Sequence, residues 1–278
     1  MQYLLDACSI INLLHIDEEE FLLKHLASFQ FKICKKVYEE SQKNAFKKFE
    51  SIRPYPEDKH KVIEIKLQYF RDRIQSDETY LEMVEEISTL TSYHKRNGEL
   101  LSVTLSFYLN TFEKKYIVFV TDDCPAKEHF TPHFAHHRVG CLEDCIDLLV
   151  CLYRQSDNFS KNDLRKFLSS LYTEYAVQIS ELEKALNATE IPSRLLRNKD
   201  ITYTLGRLKM AINKLQLKEV ESIFNEVSND SKKFKFLHDI LTPYSHFFHQ
   251  KVSNEYLRKI QDHIAQIEKK PFFKFGAN

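Results

Sequence analysis

The sequence predicts an α/β fold, an α/β/α sandwich with a central parallel sheet in residues 1–153, followed by an all-α region in residues 154–278. Short apolar runs alternate with helical patterns in the first part, which is the order of strands and helices in a parallel sheet covered by helices. From about residue 155 only helical patterns occur. The chain has four glycines, where average usage would give roughly nineteen. This scarcity disfavours a turn-rich all-β fold.

Two strands and two helices are predicted in the first 49 residues. Residues 2–5 form a short apolar run that stops at Asp6, and apolar residues recur at helical spacing over residues 9–14. Residues 31–34 form a second apolar run, which is followed by a charged helical pattern over residues 37–49. Together these segments predict the order strand, helix, strand, helix.

A helical insertion is predicted at about residues 54–95. It follows the break Arg53-Pro54-Tyr55-Pro56 and contains two amphipathic patterns, over residues 57–74 and 78–93. Because each pattern has one apolar face, both segments are predicted to be helices with one buried side.

The strongest strand pattern is residues 116–121, an uninterrupted aromatic and β-branched run that is typical of a strand buried on both faces. A helical pattern that begins at Glu99 precedes this run, and Asp122 and Asp123 end it. A His-rich loop, a last short strand at Arg138-Val139 and a covering helix over residues 142–153 are predicted to follow.

The second part of the chain is helical and basic. Its helical patterns cover residues 163–186, 203–227, 232–249 and 252–269. It has 21 Lys and Arg against 15 Asp and Glu, whereas residues 1–153 have 19 against 25. The net charge of zero is therefore a cancellation of −6 and +6, and we expect residues 154–278 to form a basic helical domain.

The sequence disfavours several kinds of site and location. No glycine-rich dinucleotide or triphosphate loop occurs. The first residues lack a basic segment and carry Asp6 within their apolar run, unlike a signal peptide. There is also no apolar run of roughly eighteen residues that could span a membrane, so a cytoplasmic protein without a membrane partner is expected. The six cysteines are predicted to be small buried residues rather than disulfides or metal ligands.

Four acidic residues stand just beyond a strand or in the first turn of a helix: Asp6, Glu99, Asp122 and Asp123. The carboxyl ends of parallel strands lie along one edge of the sheet, so these residues should converge there. A divalent cation with oxygen ligands, Mg²⁺ or Mn²⁺, would relieve their mutual repulsion. The alternative role for Asp6 and Asp123 is N-capping of a helix, and for Glu99 an interaction with the helix dipole.

Four segments resemble, in order and spacing, the successive acidic motifs of PIN-domain nucleases over roughly residues 1–150. They are Leu4-Leu5-Asp6-Ala7-Cys8-Ser9-Ile10-Ile11-Asn12-Leu13-Leu14, Val37-Tyr38-Glu39-Glu40, Gly98-Glu99-Leu100-Leu101 and Val118-Phe119-Val120-Thr121-Asp122-Asp123. The resemblance implies a compact α/β/α sandwich and a metal-dependent phosphodiesterase site built from three to five carboxylates. The insertion and the region after Gln155 depart from the family pattern, so the substrate is not transferred.

The resemblance implies a role for each acid by its position in the motifs. Asp6 matches the first aspartate, Glu99 the third acid and Asp123 the fourth, and these three are the implied metal ligands. Glu40 matches the second acid, with Glu39 as the alternative residue.

Two further polar residues belong to the implied site. Asp122, together with Glu40, would hold a second metal ion or orient the attacking water. Asn12 matches the polar residue often found six positions after the first aspartate, and its role would be to support the ligands.

A His-rich segment invites an interpretation as a zinc site. Its spacing matches no common zinc-binding pattern, and Thr131-Pro132 argues against a continuous helix there. We expect instead a loop beside the acidic edge whose histidines, with Lys127, contact phosphate. The candidate zinc ligands are His129, His133, His136, His137, Cys124 and Cys141.

The expected function is metal-dependent hydrolysis of phosphodiester bonds, with single-stranded RNA as the leading substrate and DNA as the other. Basic residues should line the path of the substrate, although solvated helix faces are the alternative for any one lysine. The other function class is a PIN-like scaffold for protein assembly with secondary or no nuclease activity. Control by a partner protein or by homo-oligomerisation is also expected. The lysines that flank the second motif are Lys35, Lys36, Lys43, Lys47 and Lys48.

Overall fold

The computed structural model describes residues 1–17, 21–27, 29–46, 57–188, 192, 197–213, 217–244 and 254–269. These residues form a small parallel sheet and many helices, which confirms the predicted α/β fold with further helices after it. Within these ranges, no helix combines the length and the apolar composition that are needed to cross a bilayer.

The sheet has four parallel strands in the order β2-β1-β3-β4. Its register pairs Leu5 with Val120 and Val120 with Glu143, so the carboxyl ends of three strands are level. After β1 the chain adds β2 on one side of it, and later adds β3 and β4 on the other side. The direction in which strands are added therefore reverses between β1 and β3. Open α/β sheets bind ligands at such a point. The strands are β1 (Gln2–Leu5), β2 (Phe31–Lys32), β3 (Ile117–Val120) and β4 (Gly140–Glu143).

Helices connect the strands and pack around the sheet. The predicted insertion is helical from residue 57 and contains two α-helices and a 3₁₀ turn at Thr79–Met83, while residues 54–56 lie outside the described ranges. The helices of this part are α1 (Ala7–Ile16), α2 (Phe21–Ala27), α3 (Lys35–Asn44), α4 (Glu57–Arg71), α5 (Val84–Thr91), α6 (Gly98–Glu113), α7 (Cys124–His136) and α8 (Cys145–Gln155).

The described residues after Gln155 are helical, as predicted, and no strand occurs among them. The long helix α9 packs against α13, the last described helix, and contacts α8 and α1 of the first part. The helices are α9 (Lys161–Ala188), α10 (Lys199–Asn213), α11 (Leu217–Asn229), α12 (Lys235–Leu241) and α13 (Asn254–Lys269).

The core lies under the two central strands. Every residue of β1 and β3 is buried. The predicted burial of the apolar run before Asp122 is therefore confirmed from Ile117 onward, whereas Tyr116 at its start is 51% exposed. Cys34 and Cys145 are buried and the other four cysteines are half-buried, and all six are free thiols.

The predicted His-rich loop is wrong, because residues 124–136 form the single helix α7 with Pro132 inside it. A proline in a helix removes one hydrogen bond and costs about 3 kcal/mol. Phe130 and Phe134 on the same helix are fully buried, and the ring of Phe134 packs against Phe119. Burial of each phenylalanine stabilises by about 1.5–3 kcal/mol, so tertiary packing outweighs the local cost.

The last strand is Gly140–Glu143 and not Arg138-Val139. Arg138 has a φ of 56°, and the N–H of Val139 donates to the carbonyl of Phe134 at 3.0 Å, so the two residues form the turn that follows α7. The carbonyl of Val139 then accepts from the N–H of Ile117 in β3 at 3.0 Å. The following helix begins at Cys145 rather than at residue 142, because the strand continues to Glu143 before the helix is capped.

Two further details of the helices differ from the predictions. Helix α2 was not predicted; its first N–H groups, of Leu22 and Leu23, donate to the buried carboxylate of Asp17. The single helix predicted over residues 203–227 is two helices, α10 and α11, and residues 214–216 between them lie outside the described ranges.

Candidate metal site at the sheet edge

Asp6 follows β1 and forms a hydrogen bond with Thr121, the residue that follows β3. It is the N-cap of α1, and its Oδ1 accepts from the N–H of Ala7 at 2.7 Å. Its Oδ2 accepts from the hydroxyl of Thr121 at 3.0 Å and from the thiol of Cys8 at 3.1 Å. Thr121 follows β3, so this bond holds together two chain segments that are 115 residues apart.

Asp123 lies beside Asp6 at the start of α7. It is buried, and its Oδ1 accepts from the N–H of Ala126 at 3.1 Å as the N-cap of that helix. Its own N–H donates to the hydroxyl oxygen of Thr121 at 3.2 Å. One threonine side chain therefore positions both aspartates.

Glu99 reaches the same place from the first turn of α6. Its carboxyl group shares a hydrogen bond with the carboxyl group of Asp123. Its Oε2 also accepts from the hydroxyl of Tyr93 and from the side-chain amide of Asn97, the latter at 3.3 Å. Asn97 is the N-cap of α6 and accepts from the N–H of Leu100, so the helix start and the carboxylate are fixed together.

Glu40 is the fourth carboxylate and comes from α3. Its Oε1 accepts from the N–H of Gly98 at 3.1 Å, next to Glu99 in the chain. Its neighbour Glu39 is exposed, whereas Glu40 is half-buried. Of the two residues that the sequence left open, Glu40 is therefore the one that contacts the start of α6. We call Asp6, Glu40, Glu99 and Asp123 the acidic cluster.

The acidic cluster is electrostatically unfavourable when all its carboxylates are charged. Burial, together with the charge of Asp123, raises the pKa of Asp6 above its usual value. Burial and the charge of Asp6 also raise the pKa of Glu40. The pKa of Glu99 is raised to about 7, first by burial and then by the hydrogen bond and charge of Asp123, against the opposing hydrogen bond from Tyr93. These shifts show mutual repulsion in a buried place.

Asp122 does not join this cluster. Its Oδ1 accepts from the N–H of Cys145 and from the hydroxyl of Tyr256, both at 2.9 Å, and its Oδ2 accepts from the side-chain amide of Asn12 at 2.6 Å. Asp122 is 4% exposed. These hydrogen bonds join Asp122 to α1, α8 and α13 and not to the carboxylates of the cluster. We therefore leave Asp122 out of the proposed ligands, and the predicted supporting residue Asn12 donates to Asp122.

The chemistry of the acidic cluster fits a hard divalent cation, because Mg²⁺ and Mn²⁺ prefer carboxylate oxygen ligands. In the part of the chain that the structure describes, however, no three His, Cys, Asp or Glu side chains are placed so that they could hold one metal ion together. The same finding covers the histidines of α7, where the ring of His129 contacts the carbonyl of Thr91 at 2.8 Å. Binding of a cation at the cluster would therefore require side chains such as Glu99 and Asp123, which share a hydrogen bond, to change position.

An open cleft of about 230 Å³ lies on the side of Asp122, where Thr121 and Asp122 line it and the four carboxylates of the acidic cluster do not. Its walls are the end of β3, the first turns of α7 and the start of α13, and they include Lys127 and Lys259. Lys127, which the sequence suggested as a phosphate contact, donates to Asp144 at 2.9 Å. Lys35, Lys36 and Lys43 lie on α3, the helix that carries Glu40, and Lys47 and Lys48 lie outside the described residues.

Sequence reasoning missed several residues that shape this region. Thr121 lies within the fourth acidic motif. Its position between β3 and two aspartates was the sequence signal that could have indicated its role. Tyr93 precedes Glu99 by six residues in a separate helical pattern, and Tyr256 and Lys259 lie in the last helix. For Tyr93, Tyr256 and Lys259, no local sequence pattern indicated a contact with an acidic residue.

No family model, no curated protein and no solved structure matches the chain.

Proposed function

We propose that the chain is a metal-dependent nuclease of the PIN-like α/β/α type, which hydrolyses phosphodiester bonds in single-stranded RNA. The observation that carries the proposal is a chain of hydrogen bonds at the point where the strand order reverses. Thr121 links Asp6 with Asp123, Asp123 pairs with Glu99, and Glu40 accepts from the N–H of Gly98 beside Glu99. A cytoplasmic location and control by a partner protein or by self-assembly, both expected from the sequence, belong to the same proposal.

Asp6, Glu99 and Asp123 would hold Mg²⁺ or Mn²⁺, with Glu40 beside them. Bound there, the cation would polarise a phosphoryl oxygen and lower the pKa of a water molecule. The residues of the chain keep the carboxylates in place: Thr121 orients both aspartates, and the backbone of Gly98 holds Glu40. Burial of the aspartates restricts the water around them, which strengthens their attraction for a cation.

The surroundings are compatible with a polyanionic substrate. A site made of carboxylates repels phosphate, so nearby cations must attract the chain. Lys35 and Lys43 are exposed and Lys36 is half-exposed on α3, within the helix that supplies Glu40. An unpaired strand fits better than a duplex in an open cleft, because its phosphates and bases can enter separately. RNA is preferred over DNA on the resemblance alone, so both are tested.

The central test replaces one carboxylate of the cluster. Wild type and Asp6→Asn are incubated with single-stranded RNA and with single-stranded DNA, each with Mn²⁺ or Mg²⁺. Loss of one ligand should lower the cleavage rate by about a hundredfold or more, because even partners of ligands affect activity 10–100-fold. Asp72→Asn is the matched control, since Asp72 is exposed on the surface and its change should leave the rate unaltered.

Cleavage that persists in Asp6→Asn would contradict the assignment of the metal site. Absence of cleavage by the wild type with either nucleic acid and either cation would contradict the nuclease and favour the scaffold for protein assembly.

A further inference from the structure

The last described helix, α13, contacts the sheet edge directly behind the acidic cluster. Tyr256 in its first turn is 5% exposed, and its hydroxyl donates to Oδ1 of Asp122 at 2.9 Å. One turn later, Lys259 donates to Asp144 at 2.7 Å and to Asp147 at 2.5 Å. Helix α13 thus bonds to residues that follow β3 and β4.

Asp122 accepts hydrogen bonds from residues of three helices. Besides Tyr256 of α13, its carboxylate accepts from Asn12 of α1 and from the first N–H of α8, at Cys145. The carboxylate is buried. A buried carboxylate is stable only when its oxygens accept hydrogen bonds, so these donors fix where the backbone of Asp122 can lie.

The backbone of Asp122 lies between two residues that shape the cluster. Thr121 before it donates to Asp6 and accepts from Asp123, and Asp123 after it is a member of the cluster. A displacement of Asp122 would therefore move the hydroxyl that orients one aspartate and the backbone of the other.

We propose that Tyr256 is a positioning residue for the acidic cluster, acting through Asp122, so that the helical region completes the site of the first part of the chain. The role given to Tyr256 rests on the proposed nuclease function. The position of Tyr256 relative to Asp122 rests on the hydrogen bonds alone. The hydroxyl of Tyr256 donates to Asp122, and the proposed effect on the cluster passes through this bond.

The test variant is Tyr256→Phe, which keeps the buried ring and removes only the hydroxyl. Gln261→Ala is the matched control, because Gln261 lies on the same helix, is exposed, and donates to the hydroxyl of Tyr172 away from the sheet edge. For both variants and the wild type, kcat and KM for single-stranded RNA and the Mn²⁺ concentration for half-maximal activity are measured, with thermal unfolding as a check of the fold.

For Tyr256→Phe we expect the half-saturating Mn²⁺ concentration to rise and kcat to fall, each by about 3–10-fold, somewhat less than for a direct partner of a ligand. KM for RNA should stay within about twofold, since the substrate does not contact the buried hydroxyl. Gln261→Ala should match the wild type in all three quantities. An active wild type together with a Tyr256→Phe variant of unchanged metal dependence and kcat would overturn the inference.

A second readout needs no activity. The side-chain carboxyl carbons of aspartate are observed by NMR in the metal-free wild type and in Tyr256→Phe. Displacement of the signals of Asp122, Asp6 and Asp123 is expected, whereas a change confined to Asp122 would overturn the positioning role. If the wild type fails to cleave nucleic acid, the nuclease proposal fails, and the carboxyl signals still decide whether Tyr256 positions the cluster.

Discussion

Gly98 shows how one missing side chain shapes the acidic cluster. A Cβ at this position would lie 2.5 Å from Oε2 of Glu40 and 3.0 Å from Cγ2 of Val37. The N–H of the same glycine donates to Glu40. Only a residue without a side chain allows the carboxylate to approach the start of α6 so closely. The glycine that precedes Glu99 in the sequence thus acts on a different acid, 58 residues away.

Gly98→Ala is expected to displace the carboxylate of Glu40 and to reduce metal-dependent cleavage about tenfold. The free energy of unfolding should change little, since the end of a glutamate side chain can move. Cleavage rates and thermal unfolding measure the two effects.

Gly206→Ala is the control for this substitution. A Cβ there meets no atom within 4 Å, and alanine in a helix interior is about 0.5–1 kcal/mol more favourable than glycine. This control should be slightly more stable and equally active. A Gly98→Ala variant with the wild-type cleavage rate would show that Glu40 does not take part in the site.

At the scale of elements, three helices begin where strands of the sheet end, and each has an aspartate as its N-cap. Asp6 caps α1 after β1, Asp123 caps α7 after β3, and Asp144 caps α8 after β4. Capping was the alternative to metal binding for the first two. In both, one carboxylate oxygen accepts from the helix. Capping does not use the whole carboxyl group, since the second oxygen of Asp6 accepts from Thr121 and Cys8 and the carboxyl group of Asp123 shares a hydrogen bond with Glu99.

The pairing of β4 with β3 depends on Gly140. A Cβ on this residue would lie 1.7 Å from the carbonyl oxygen of Ile117, a backbone atom of the neighbouring strand. Because backbone atoms cannot move aside as side-chain ends can, Gly140→Ala should lower the free energy of unfolding by about 3 kcal/mol or more. Chemical denaturation measures this loss, with Gly206→Ala again as the reference. An equally stable Gly140→Ala variant would contradict the β3–β4 register.

The parallel sheet was predictable, because short apolar runs alternate with helical patterns along the chain, whereas the order of the strands within the sheet was not predicted. The helix through Pro132 was not, since burial of Phe130 and Phe134 depends on the sheet beneath them. It was also not predicted that the adjacent Asp122 and Asp123 have different hydrogen-bond partners. Neighbouring residues at a strand end can point to different sides, and Asp122 turns to partners in three helices while Asp123 does not.

At the scale of the whole molecule, the acidic residues 1–153 and the basic residues 154–278 are joined by ion pairs beside β4. Lys259 belongs to the basic part, and its partners Asp144 and Asp147 belong to the acidic part. Lys127 shares the same two carboxylates. Beside β4, basic and acidic residues of the two parts therefore form one partly buried ion-pair network.

The pH dependence of global stability should reflect Glu143 in this network. Burial, the hydrogen bond with Asp147 and its charge raise the pKa of Glu143 to about 7, while Lys127 and Cys141 oppose the shift. A carboxyl group whose pKa is raised by folding binds its proton more tightly in the folded state. Its contribution to stability is therefore present below the unfolded pKa, near 4.3, and is lost as the pH rises to about 7.

Glu143→Gln removes this titration while keeping a group that can donate to Asp147. The variant should be more stable than the wild type by about 1 kcal/mol at pH 8, a value reduced for solvent screening of a half-exposed group, and equally stable near pH 4. Urea denaturation at several pH values measures the difference. A difference that does not depend on pH would contradict the shifted titration of Glu143.

The contact between Tyr256 and Asp122 also has a consequence for the order of synthesis. The two residues are 134 positions apart, so at about 5–20 residues per second the ribosome adds the tyrosine on the order of ten seconds after the aspartate. A nascent chain acquires all four carboxylates of the cluster long before it acquires the hydroxyl that holds Asp122. If Tyr256 has the proposed role, the proposed nuclease would reach its full activity only after its helical region has been translated.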